Sequence, residues 1–352
     1  MGILSLFKRA PRSAHDAITT IVGDGFPIGE PAPADPIARE RLLPFLRSRS
    51  ALAMQRLVDR IDGADKARPE AFRAVGSDLV LDLLADTSSA PLPIDPQQLR
   101  DLGLDPAEAV ALATANLRRR SEPSFTTLGP GVFVSTWRDG NDSARLLLPD
   151  MIAALPVTGD PVVLVPVRGM LLVTGADDKN GLLTMAAAAA EALSTSSEPL
   201  SAQPLRLRDG EWIDFTGDPV ELASLHDLMR GQWIRAYAEQ KELLDQLHQQ
   251  QDDDIFVANH APMRDRRSGR PFCMTFWADG LSSLLPQADV IAFKTAAEVI
   301  VVPWDAAMPI VGHRMARTEH YPVRFRVDNF PTADELDRLH AVATLAKPVK
   351  TG

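Results

Sequence analysis

Apolar residues recur at helical spacing in Ala109, Leu112, Ala113 and Leu117, lining one face. Asp105, Pro106 and Glu108 stand before them as a capping box with proline at the first helical position. The pattern predicts a helix in "LDPAEAVALATANLRRR", with Arg118–Arg120 answering the dipole at its carboxyl end. Further helices are predicted in "GLLTMAAAAAEAL", in 219–250 with a break near Gly231, and in "TADELDRLHAVATLA", where Thr332 and Glu335 form a second capping box. Residues 37–61 read as helix interrupted at Pro44, whereas "SDLVLDLLADTS" fits strand or helix.

Other stretches carry the strand signal. "GVFVSTW", "DIFVANH", "PFCMTFW" and "VRFRV" are short apolar or alternating runs. "PVVLVPV" and "MLLVTG" flank only Arg168 and Gly169, which predicts a hairpin. "LRLRDGEWIDF" places Asp209-Gly210 between two alternating runs and is the firmest hairpin signal.

One pattern is written twice. Leu147–Gly175 and Leu284–Gly312 each open with Leu-Leu-Pro, have a second proline 17 positions after the first, and a glycine 9 further on. Phe133, Trp137 and Asp139-Gly140 precede the first; Phe272, Trp277 and Asp279-Gly280 precede the second. The expected fold is therefore α/β (α+β), with two related strand-rich units, each helix, strand, turn, short helix, strand, strand. The expected organisation is a flexible segment over 1–35, an α/β domain over 36–218 and a second over 219–352. Strands without clean alternation need cover on both faces, and one such unit alone has too few strands to bury itself.

Composition narrows the function classes. A formal net charge of −10 opposes broad nucleic-acid binding, which draws on phosphate neutralisation. Cys273 is the single cysteine, so no disulfide forms within the chain, and a reducing compartment fits best; Cys273 itself reads as a small buried hydrophobe. No run reaches the roughly 18–20 apolar residues of a membrane-spanning helix. "MGILSLFKRAPR" matches neither a secretory signal nor a myristoylation pattern, and leaves a membrane contact through residues 1–12, with Leu4, Phe7 and Lys8, as an alternative.

Residues 78–215 carry "DLVLDLL", "LRDLGLDPAEAVALATANLRR", "DGNDSARLLLP", "VVLVPVRGMLLVTGADD" and "LRDGEW". In order and motif this region resembles the bacterial family called domain of unknown function 1444, or YtpQ-like. The resemblance implies an intracellular bacterial protein with an α/β fold, and supplies no activity or catalytic residue. About 130 residues at the carboxyl end lie beyond the family pattern, and the second copy replaces "NDSAR" with "LSS".

Candidate chemistry is sparse. Phosphate-binding Gly-Lys-Ser/Thr, Gly-x-Ser-x-Gly and His-Glu-x-x-His motifs are all missing, and no cofactor is expected. "GADDKNG" reads as an exit turn, and Asp252–Asp254 as a solvated turn. Asp139, Asp142 and Arg145 fit either an ion pair fixing a turn or a contact with a ligand or partner. Arg168, Trp277 and Asp279 join them as candidate contacts, as do Arg264, Arg266 and Arg267 of the basic loop "RDRRSGR". The sequence favours a binding protein of immunity or accessory type, cytoplasmic, with another protein as partner. The alternatives are a hydrolase or metal-dependent enzyme, with His260 and His313 among loop Asp and Arg residues, and a peripheral membrane adaptor.

Overall fold

The structure, a computed structural model, describes residues 37–63, 73–87, 91–217 and 222–343. The expectations for 1–35 and for membrane contact through 1–12 lie outside the described residues. The fold class is mixed α/β, with antiparallel and mixed sheets. No helix among the described residues is long and apolar enough to cross a membrane.

The chain divides into two compact units. Among the described residues, the first holds 37–49 and those of 73–230; the second holds 50–63 and 231–343. This corrects the expected boundary at 218/219. Helix α1 (Arg49–Ile61) belongs almost wholly to the second unit because Met54 and Leu57 bury against Leu244, Leu247, Val257 and Leu284.

In the first unit, β1 (Leu42–Ser48) is a strand, where the sequence suggested an interrupted helix. It pairs antiparallel along its whole length with β3 (Leu79–Asp86), so Pro44 sits in an edge strand, which tolerates a missing N–H. β2 (Arg73–Val75) and β4 (Pro91–Pro93) also pair with β3. Next come α2 (Pro96–Asp101) and α3 (Pro106–Arg119), whose Asp105–Glu108 capping box forms as predicted. A six-stranded antiparallel sheet follows. It comprises β5 (Phe125–Gly129), β6 (Val132–Ser135), β7 (Pro161–Leu164), β8 (Leu172–Gly175), β9 (Leu205–Arg208) and β10 (Glu211–Asp214), in the order β10-β9-β7-β8-β6-β5. A 3-10 turn (Ser143–Leu147) and α4 (Pro149–Ala153) lie between β6 and β7.

One face of this sheet packs Val162, Leu164 and Leu172 against Leu182, Met185 and Ala189 of α5 (Lys179–Thr195). The other packs Val163 and Val173 against Leu46, Leu79 and Leu81 of the first sheet. Cover on both faces explains why β7 reads as an unbroken apolar run. The β7–β8 pair is a hairpin, joined by residues 165–171 and not by the two-residue link expected. Asp209 and Gly210 both take positive φ, as the tight β9–β10 turn requires.

Helix α6 (Ala223–Gln251) runs through Gly231 without the expected break. Among the described residues, the second unit has two four-stranded sheets. One has the order β11-β14-β18-β17, from β11 (Phe256–Val257), β14 (Ser283–Pro286), β17 (Ala316–Arg317) and β18 (Arg324–Val327). The other has the order β12-β13-β15-β16, from β12 (Ala261–Arg264), β13 (Pro271–Ala278), β15 (Val290–Lys294) and β16 (Val299–Pro303). Trp277, Ile291, Phe293, Ile300 and Val302 bury its inner face against α7 (Trp304–Val311) and α8 (Ala333–Val342).

The duplicated pattern does not become equivalent structure. Both copies have an upstream strand, a turn with positive-φ glycine (Gly140, Gly280) and an antiparallel strand pair. Between these, Leu147–Pro149 joins a 3-10 turn to α4 through a non-helical Leu148, whereas Leu284–Pro286 is strand. Pro166 follows the first hairpin strand and Gly175 ends the second; Pro303 ends the second hairpin strand and Gly312 caps a helix. β6 joins its hairpin antiparallel through β8, but β13 joins its own in parallel through β15. Equal spacing thus places Pro166 in a loop but Pro303 at a strand end, and Gly175 at a strand end but Gly312 at a helix end.

Candidate functional site

The turn after β6 gathers three of the predicted residues. Arg145 is fully buried and forks onto Asp139, with Nη1 donating to Oδ1 at 2.8 Å and Nη2 to Oδ2 at 2.6 Å. Its Nε donates to Ser121 Oγ at 2.8 Å, and its guanidinium lies 4.2 Å from the Trp137 ring centroid. Half-burial works against charge on Asp139, but the Arg145 fork and the Asn141 amide hold its pKa below the usual range. The pair thus fixes the turn; its donors point inward, so the expected ligand or partner contact at Arg145 is corrected to a structural tie.

Asp142 is also fully buried, and neither carboxylate oxygen has a hydrogen-bond partner. Burial pushes its pKa up and the Asp139 charge adds to this. The Ser135 hydroxyl, Arg145 and the Arg138 amide pull the other way without a hydrogen bond of normal geometry to either oxygen. Arg168 touches this turn through its backbone, its carbonyl accepting from Ser143 N at 3.0 Å, but its side chain joins neither Asp139 nor Asp142. Its guanidinium stands 5.4 Å from the Phe45 ring centroid, half-buried.

The candidates of the second unit separate. Trp277 is fully buried beside Phe293 and Phe330, which corrects its expected contact role to core packing. Asp279 is exposed at the end of β13. Arg264, Arg266 and Arg267 are exposed in the β12–β13 hairpin. That hairpin is ordered from within: Asp265 Oδ1 accepts from the Arg267 and Ser268 amides and the Ser268 hydroxyl, and Arg264 Nη1 donates to Gly269 O at 2.7 Å. The turn thereby occupies Arg264 and holds Arg266, Arg267 and Arg270 outward.

Beside this hairpin lies a surface that sequence reasoning missed. The face of β12-β13-β15-β16 opposite Trp277 presents Met263, Phe276 and Val299, exposed by 44%, 40% and 39%. On the same face Phe272 and Val301 are half-buried, Met274 and Ala292 are buried between them, and Lys294 is exposed. None of Arg266, Arg267, Arg270 and Lys294 forms an ion pair among the described residues. The only local signal was alternation: Phe272, Met274 and Phe276 share a parity, but both parities of "PFCMTFW" are apolar, so sequence could not choose the open side.

The histidines do not converge. His260 stacks on Tyr237 with centroids 4.6 Å apart, whereas His313 lies 3.2 Å from Glu335. Among the described residues no group of three His, Cys, Asp or Glu side chains is placed to hold a metal ion. Tyr237 belongs instead to a buried tie around Arg324, a residue the sequence did not single out. Arg324 donates to Gln240 Oε1 at 2.6 Å, Ala258 O at 2.8 Å, Leu284 O at 3.1 Å and Tyr237 O at 3.2 Å. No carboxylate pairs with it among the described residues, and burial pulls its pKa down to about 10.

No family model, curated protein or solved structure matches the chain.

Proposed function

We propose that the protein is a non-catalytic protein-binding module of accessory or immunity type, acting in the cytoplasm through the open face of β12-β13-β15-β16. The carrying observation is that face itself: exposed Met263, Phe276 and Val299 bordered by Arg266, Arg267, Arg270 and Lys294. Exposed apolar side chains with charged residues around them are characteristic of interaction sites. The partner is a protein segment carrying acidic side chains among apolar ones. In a chain of net charge −10, this local cation excess favours an acidic occupant. The carboxyl-terminal segment 344–352 does not fit by charge, since it brings Lys347 and Lys350.

The geometry favours docking on the face over strand addition at the β12 edge. Cys273 N donates to Asp289 Oδ2 and Cys273 O accepts from Asp289 N, so the backbone of Cys273 is turned towards β15. Pro262, its partner in register, therefore turns outward and has no N–H to offer. Kinship of residues 78–215 with the domain of unknown function 1444 family belongs to the same proposal, and rests on the motifs quoted above. The enzyme alternative gains no support from geometry, because Asp139 and Arg145 bind each other and His260 and His313 join different neighbours.

The test compares capture by wild type, Phe276→Asp and Arg270→Glu, with hydrogen exchange of each captured complex. Support requires an acidic partner lost by both variants and new protection in β12, β13, β15 and β16. A partner retained by both variants, or protection confined to other strands, overturns the reading. Concentration-dependent self-association that buries the same face also overturns it, in favour of a second copy whose exposed Asp252–Asp254 and Phe256 supply the acidic, apolar segment.

A further inference from the structure

The first unit contains a cation without a partner. Arg168 sits in the loop between β7 and β8, and this loop is anchored because Arg168 O accepts from Ser143 N at 3.0 Å. A guanidinium carries five N–H donors. None of those of Arg168 forms a hydrogen bond or ion pair among the described residues, although the side chain is half-buried over Phe45. These unpaired donors are open to solvent at the edge of the apolar ring, where an anion can reach them.

The surroundings add a second cation. Phe45 and Arg47 are two apart in β1 and so share a face. Asp82 lies opposite Phe45 in register, nearly fully buried, and Arg47 Nη1 reaches its Oδ2 at 3.3 Å, the long end of a hydrogen bond. Burial pulls the Arg168 pKa down, and the positive charge of Arg47 lowers it further, while Glu198 acts in the opposite sense. Glu198 is exposed and makes no ion pair with Arg168. Arg47 is matched by Asp82, and Glu198 offsets Arg168 only from a distance, so the Arg168 fork has no carboxylate in contact with it.

We propose that Arg168 and Arg47, above Phe45, form a binding site for a carboxylate monoanion, with Arg168 as its principal ligand. A carboxylate suits the flat fork of a guanidinium and supplies the direct contact that Glu198 does not make. It can come from a small free acid or from the chain terminus of a peptide. This site is independent of the apolar face, which belongs to the other unit, so the failure of either reading leaves the other standing.

The test titrates the full-length protein, at constant ionic strength set with chloride, with acetate, phosphate, a short peptide and the same peptide amidated at its carboxyl end. Binding is read from Arg side-chain NMR signals and from the melting temperature. Saturable acetate binding that shifts the Arg168 signal supports the site, as does affinity falling roughly tenfold or more in Arg168→Gln, the loss of a charge-assisted hydrogen bond. Glu198→Gln should bind acetate more tightly than wild type, because it removes a competing carboxylate. Preference for the peptide over acetate, lost on amidation, assigns the site to a chain terminus; equal affinity assigns it to a free acid. No saturation beyond the chloride control, tighter binding of phosphate dianion, or unchanged affinity in Arg168→Gln overturns the proposal. Unchanged circular dichroism in Arg168→Gln separates lost binding from lost folding.

Discussion

Replacing Arg324 by lysine should damage the protein more than replacing it by methionine. The arginine is fully buried and donates to four neutral acceptors, Gln240 Oε1, Ala258 O, Leu284 O and Tyr237 O. Methionine removes the donors and leaves these acceptors wanting, at about 1–3 kcal/mol for each that finds no substitute. It also removes a buried cation with no carboxylate beside it, which returns several kcal/mol of desolvation cost. The net loss for Arg324→Met is therefore about 2–4 kcal/mol. Lysine keeps the charge buried, but its compact ammonium cannot span acceptors drawn from α6, from the residue after β11 and from β14. It should cost about 4–6 kcal/mol, near the top of the single-mutant range. Urea unfolding followed by hydrogen exchange in β18 and around Tyr237–Gln240 isolates the second unit. With a urea slope of about 1–3 kcal/mol per molar, the two variants should be separated by at least half a molar or so in midpoint. A lysine variant within about 1 kcal/mol of wild type would refute the argument that fork geometry, and not charge, holds this core together.

Asp142→Asn should stabilise the protein at neutral pH, because burial raises the carboxyl pKa and neither oxygen is hydrogen-bonded. A raised carboxyl pKa means that wild-type stability falls as pH climbs above the unfolded value of 3.8, so the advantage of Asn should vanish below it in denaturation curves. Glu335 behaves oppositely. Although burial works against its charge, Arg314 and the Thr332 amide and hydroxyl hold it at about 2 against 4.5. Its contribution, about 1–2 kcal/mol after allowance for screening, is complete above 4.5 and lost as pH falls towards 2; Glu335→Gln should flatten that limb of the stability profile. Trp277→Ala should cost about 3–5 kcal/mol by thermal or chemical denaturation, as expected of a core residue, and a near-neutral effect would restore it to the surface.

Local rules were legible where one side chain meets its own backbone. Both capping boxes, the Asp209-Gly210 hairpin and the burial of Cys273 followed from residues a few positions apart. The Arg145–Asp139 tie was also readable as a possibility, because six positions around a turn bring the two within reach. Pattern failed where a distant partner decided the outcome. Leu42–Ser48 carries helix-forming residues, yet pairing with β3 makes it a strand. Leu-Leu-Pro links two short helical turns in one place and is strand in another, because β14 finds β18 to pair with.

Sequence by itself thus determined the α/β class, the acidic balance, the single thiol and the turns, since each depends on composition or on neighbours along the chain. Tertiary structure alone decided the unit boundary, the open side of the β12-β13-β15-β16 sheet, the partners of Arg324 and the placement of Arg168 over Phe45. Burial and hydrogen bonding between residues 40 to 87 positions apart, as around Arg324, leave no imprint on local periodicity.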